Sequence, residues 1–252
     1  MFERLLNWSG GWREVLLVFP SRAGPALASH VAQSLPVYFK MLSEVLTSAL
    51  TGHCDDKVLS ASNTNIRSAV TMNQNLKEEA QREVEGFLAG RVDPEPLLNT
   101  LRRFWHTQLM LARACSSPLP EPAMVKLRPT LRKLRDDVDE IVANLNDAGA
   151  CIIKQPPSLA ALEAPLEELY QLILGLRQEG ELQSMPMDDV IRLLTLDFSL
   201  EQLRLNIGEL NDRLPDLTYI AGTAAWRKQK PKPSSPAASQ RQPASFPFES
   251  KT

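Results

Sequence analysis

The 252-residue chain is poor in the residues on which catalysis and cross-linking usually rest: it has 3 histidines and 3 cysteines, and aromatic residues make up 6%. Cys54, Cys115 and Cys151 lie far apart, with no C-x-x-C pair among them. An odd, sparse set of this kind reads as reduced thiols in a cytoplasmic setting, not as a disulfide framework. Long apolar runs are missing as well. The best run, Val15 to Phe19, is five residues long and follows Arg13-Glu14, whereas a membrane helix needs about 20. The N-terminus lacks the apolar core and small-residue cleavage site of a signal peptide. No alternating strand pattern, hairpin turn, glycine-rich phosphate loop, paired-carboxylate site or Ser/His/Asp set can be assembled, so the sequence reads as no enzyme and calls for no cofactor.

Charge excludes little by its total, which is -2, but its distribution is uneven. From Trp226 onward six basic residues (Arg227, Lys228, Lys230, Lys232, Arg241, Lys251) face one acid, Glu249, so the tail carries +5 and the body -7. The tail, 226–252, is rich in Pro, Ser and Gln and reads as disordered; its charge suits a weak contact with an anionic membrane. Nucleic acid is not an expected partner.

What is present is helical periodicity. The first helix opens at Pro25, a residue suited to a first helical turn. It carries Leu27, Val31, Leu35, Phe39, Leu42, Leu46 and Ala49 on one face; Pro36 predicts a kink and Gly52 the end. A polar helix follows from Leu59 to Leu88, with Ile66, Val70, Leu76, Val84 and Leu88 inward and Gly90 at its close. Asp93-Pro94-Glu95-Pro96 starts the next, whose inward face is Leu98, Leu101, Trp105, Leu109 and Ala112. After the connector Ser116 to Pro122 comes a heptad seam, Leu127, Leu131, Leu134, Val138, Ile141 and Leu145. A second seam on the helix from Ser158 to Glu181 uses Leu159, Leu162, Leu166, Leu169, Ile173 and Leu176. The Gly149 and Pro156-Pro157 connector predicts that these two form an antiparallel pair. A last helix, Pro186 to Arg213, is expected to turn Ile191, Leu194, Phe198, Leu203, Ile207, Leu210 and Leu214 inward before Pro215 stops it. The fold class is therefore all-α: an elongated antiparallel bundle of about six helices over 25–225, preceded by a segment 1–24.

Leu17-Val18-Phe19-Pro20, then Ala23-Gly24, then Leu27-Ala28-Ser29-His30-Val31-Ala32 resembles a junction in the fusaric acid resistance (FUSC-like) and aromatic acid exporter family. There the last membrane helix ends in an apolar-aromatic-Pro signature, and a small-residue turn leads into a long cytoplasmic helix. The resemblance covers about forty residues of this chain. It implies the cytoplasmic helical portion of an inner-membrane efflux transporter, without the pore. Its partners would be the membrane or a membrane-embedded component, with homo-oligomer assembly through helices. Phe19, Pro20 and Gly24 are the junction candidates, and Leu131, Val138, Leu166 and Ile173 the interface candidates. Trp8 and Trp12 fit a membrane interface or packing on the bundle. The alternative is a stand-alone cytosolic scaffold or adaptor whose heptad seams recruit another helix.

Three sharper readings carry less. His53-Cys54-Asp55-Asp56 offers metal-ligand types, but adjacent residues rarely reach one ion. Asp136-Asp137-Val138-Asp139-Glu140 matches an aspartate-rich magnesium motif only if a second motif faces it, and neither Asn146-Asp147 nor Asp188-Asp189 completes one. The basic run Lys126 to Arg135 is expected to make interhelical ion pairs, and His106 to lie at the surface or boundary.

Overall fold

Proline and glycine placement sets most helix ends. In the computed structural model, which describes residues 23–85, 93–180, 182 and 185–222, helix α1 runs Ala23–Thr51 with Pro25 in its first turn and Pro36 inside it. Gly52 closes α1 at φ 67°, donating its N–H to the Ser48 carbonyl at 2.9 Å. Helix α2, Asp56–Glu85, starts at Asp55, whose Oδ1 accepts the N–H groups of Lys57 (3.0 Å) and Val58 (3.2 Å); a carboxylate here satisfies first-turn donors that have no helical partner. Helix α3, Glu95–Ala114, follows Pro94, and Asp93 accepts the Glu95 N–H at 3.0 Å. Helix α4, Glu121–Ala148, has a second internal proline, Pro129, and ends at Gly149. Two 3-10 turns, Gly149–Ile153 and Ala160–Leu162, lead into α5, Glu163–Gln178; the expected helix from Ser158 is thus 3-10 in its first turn. Helix α6 spans Met187–Arg213, and a short α7, Asp216–Ile220, completes the all-α fold. The expected Phe19-Pro20 junction, Trp8, Trp12, Leu88, Gly90, Trp226 and the basic tail lie outside the described residues.

Packing follows the apolar faces. All seven residues expected inward on α1 are buried, and Ala28, Ala32, Tyr38, Met41 and Val45 join them, because α2, α3, α4 and α7 all touch this helix. From α1 a ring closes through α4, α5, α6 and α3. From α4 through α5 and α6 to α3 successive helices run antiparallel, as the cross-contacts show, whereas α1 and α3, each antiparallel to α2, run parallel to one another. Thr130 Oγ1 donates to Glu168 at 3.0 Å and Lys126 meets Glu179 at 2.6 Å, so α4 numbers rise as α5 numbers fall toward the other end. Arg177 pairs with Asp197 at 2.8 Å between α5 and α6. Asn206 Nδ2 donates to Thr107 Oγ1 at 2.9 Å between α6 and α3. The expected antiparallel pairing of the two heptad seams is present, and α4 also faces α1, where Ser43 donates to Asp139 at 2.5 Å. The Thr218 hydroxyl donates to the Ile153 carbonyl at 2.6 Å and fastens α7.

Helix α2 lies outside the ring on α1 and α3. Ile66 is its deepest large side chain, and Leu59, Val70 and Leu76, two of them expected inward, pack partly buried against the core; polar contacts complete the attachment. Ser62 donates to Glu44 at 2.6 Å, His30 Nδ1 and Asn73 Oδ1 share a hydrogen bond of 2.7 Å, and Trp105 Nε1–H donates to Asn63 at 3.0 Å. Lys77 pairs with Glu95. The expected face of α3 is rotated accordingly: Leu97, Leu101, Phe104, Gln108 and Leu111 are deepest, while Trp105, Leu109 and Ala112 are partly buried. An indole that needs an acceptor stays at the edge where Asn63 supplies one.

A side chain at Gly52 meets two obstacles, the positive φ and the Pro118 ring, whose Cγ lies 3.1 Å from where a Cβ would stand. Gly52→Ala is therefore expected to destabilise the fold by about 1–3 kcal/mol, read as a lower urea midpoint with an unchanged slope. An unchanged midpoint would contradict this account of the α1–α2 turn.

Candidate interaction surface

The residues singled out for assembly turn out to be interior. Leu131 and Val138 of α4 and Leu166 and Ile173 of α5 are all buried in the common core, and Gly24 is buried in the first turn of α1. Both heptad seams are thus satisfied inside the chain, and neither offers a face to a second helix.

A different helix does. On α6, Met187 (73%), Ile191 (54%), Leu194 (38%), Phe198 (56%) and Leu205 (51%) are exposed. They follow one another by four, three, four and seven residues, the spacing of a d–a–d–a heptad stripe. The buried side of the same helix is Leu193, Leu196, Leu200, Leu203, Ile207 and Leu210. At 100° per residue the two stripes lie about 180° apart around the helix. The expectation that Ile191, Leu194 and Phe198 turn inward is therefore corrected: they belong to the outer stripe, and Leu193, Leu196 and Leu200 replace them in the core. The five-residue step from Phe198 to Leu203 was the available signal, since a single face advances by three or four.

The other candidates resolve into structural roles. Asp136 and Asp139 engage Arg135, and Asp139 accepts from Ser43. Among the described residues, no three His, Cys, Asp or Glu side chains come together as a metal-binding group. In the His53–Asp56 loop Asp55 is the α2 cap, and the Cys54 thiol is pushed up by burial and by its contact with Asp56. Burial pushes Cys115 up to about 12. Both thiols are held in the protonated, unreactive form. Two depressions on the outside of α2, within 56–65 and 64–75, are each lined by that helix alone. Of the basic run on α4, Lys126 makes an interhelical pair with Glu179, while Arg135 pairs along its own helix. His106 is exposed beside Trp105, as expected.

One interior feature was not visible in the sequence. Gln108 is fully buried on the apolar face of α3, and neither its oxygen nor its nitrogen has a hydrogen-bond partner among the described residues; the Tyr38 hydroxyl is in the same position. Comparison with protein-family models, with curated proteins and with solved structures finds no match to this chain.

Two predictions follow from these buried polar groups. A buried amide without partners costs about 1–3 kcal/mol, so Gln108→Met, which nearly conserves shape, is expected to raise the melting temperature. A fall would mean that the amide is served by a bound polar molecule. At Asp197, burial raises the carboxyl above its ordinary range and Arg177 opposes the rise only in part. A raised folded value means that the folded chain holds the proton longer than the unfolded chain, so stability falls as pH climbs from the unfolded value, about 4, through the folded one. Asp197→Asn should melt with wild type near ~pH 3 and above it at neutral pH. A variant that drops below wild type as pH rises would show that Arg177 outweighs burial.

Proposed function

We propose that this chain is a non-catalytic helical assembly domain acting at the cytoplasmic face of a membrane, in the manner of the cytoplasmic helical region of a FUSC-like exporter. The observation that carries the reading is the position of α1. This helix begins at Ala23, three residues after the Phe19-Pro20 signature, and it is the element on which α2, α3, α4 and α7 all pack. A displacement applied at the N-terminal end of such a helix reaches the whole bundle, because packed cores shift as units and do not deform continuously. The site chemistry supports the same reading: raised thiols, a capping Asp55 and carboxylates engaged by Arg135 leave no activated nucleophile among them.

No helix of the described residues is long and apolar enough to cross a membrane, so on this reading the chain would meet the bilayer through a partner or through residues outside those described. A stand-alone scaffold is the second reading. The exposed stripe on α6 favours it, although the seams first expected to recruit a helix are buried.

Fractionation of native cells, blotted with an antibody to residues 127–176, separates the two. The first reading expects the antigen in the membrane fraction, either at 28.1 kDa or as part of a larger polypeptide. A band of 28.1 kDa confined to the cytosol would overturn it in favour of the scaffold.

A further inference from the structure

We propose that the exposed stripe of α6 is the contact through which two copies of this chain form an antiparallel, two-fold symmetric dimer. The proposal concerns a different surface from the buried seams and does not depend on where the chain resides. Three observations lead to it.

The first is area. The five exposed side chains put on the order of 500 Å² of apolar surface on one straight face, comparable to the largest patch on a typical monomer and to the apolar centre of one side of a standard interface. Because α6 is packed along its opposite side against α3 and α5, the stripe is presented rigidly and little ordering entropy is lost on docking.

The second is register. In an antiparallel helix pair each a position packs against a d position of the other helix. Here the a positions are Ile191, Phe198 and Leu205, and the d positions are Met187, Leu194 and Glu201. One alignment satisfies every layer at once: Met187 against Leu205, Leu194 against Phe198, Ile191 against Glu201, and the same contacts repeated by symmetry. The stripe spans eighteen residue steps from Met187 to Leu205, or about 27 Å. An isologous contact of this kind closes on itself and leaves no free copy of the stripe.

The third is charge. Glu201 is the one acidic residue in the series. A parallel pair would set it against Glu201 of the second copy, like charge on like charge. The antiparallel register gives it Ile191 as its neighbour, with its carboxylate already engaged by Arg204 at 2.8 and 2.9 Å. The methylenes of Glu201 can then cover Ile191 while the charge stays with Arg204 at the rim.

The test is sedimentation velocity on the full chain over a concentration series, compared with the double variant I191E/F198E. Both positions are solvent-exposed in the single chain, so the variant should keep the wild-type circular dichroism and a cooperative melt, losing only the stability that association adds. Wild type is expected to run at twice 28.1 kDa. The variant should dissociate on the order of 100-fold more readily, the weight of two central anchors. Orientation is read by cross-linking with Cys54 and Cys151 replaced by Ser: I191C mixed with E201C should form a disulfide-linked pair. A wild-type chain that stays at 28.1 kDa overturns the proposal and leaves the stripe to residues 1–22 or to a foreign helix. So does a dimer that the folded double variant retains. Self-cross-linking of E201C alone would show a parallel pair and overturn the antiparallel arrangement.

Discussion

The wide buried face of α1, more than half of its circumference, is the constraint from which the remaining architecture follows. A helix with a narrow apolar stripe needs one partner, whereas α1 buries sixteen residues in twenty-nine and needs several, leaving only the side of Gln33, Lys40 and Thr47 exposed. Leu27, Leu35, Leu42 and Leu46 are fully buried, each worth about 1.5–3 kcal/mol relative to exposure. Tyr38 and Phe39 meet Phe104 of α3 with ring centroids 6.3 and 5.3 Å apart, so the aromatic centre lies where α1 touches the ring's closing helix. Once α4 covers α1 with one part of its seam, the other part faces α5. That leaves α6 to bridge α5 and α3.

The helices around α1 are held by two different kinds of force. Those of the ring share one apolar core, with ion pairs such as Arg177–Asp197 and Lys126–Glu179 at its margins. Helix α2 adds to the deep anchor Ile66 and the partly buried Leu59, Val70 and Leu76 a ladder of polar contacts through Glu44, His30, Trp105 and Glu95. Each hydrogen bond contributes about 1 kcal/mol net, and exposed members of the ladder less. The Glu95 carboxyl is held below its ordinary range by Lys77, so its share of stability is present above the unfolded value and is lost as pH falls through the lowered one.

Much of this was legible in the sequence because helical faces with one apolar stripe are unambiguous. The α1 face, the α4 and α5 seams and their antiparallel pairing all follow from steps of three and four residues. The breaks at Gly52 and Gly149 follow from glycine's access to positive φ. What failed did so for identifiable reasons. Helix α6 carries two stripes on opposite sides, and a reading that sought one face crossed from Phe198 to Leu203. The α3 face was misplaced by about one residue because Gln108 sits at a core position and Trp105 at an edge one, the reverse of what polarity alone predicts. The same limit applies to assembly: a heptad seam announces a helix pair but not whether the second helix belongs to the same chain.

Native-state hydrogen exchange tests the central role of α1 most directly, because it reads the opening free energy of each helix separately. Amides of α1 from Tyr38 to Ala49 should exchange only through global unfolding, with a denaturant dependence equal to that of the whole chain. Those on the outer side of α2 should exchange through smaller openings at lower free energy. Protection of α2 equal to that of α1, or exchange of α1 by local fluctuation, would contradict an architecture built around α1.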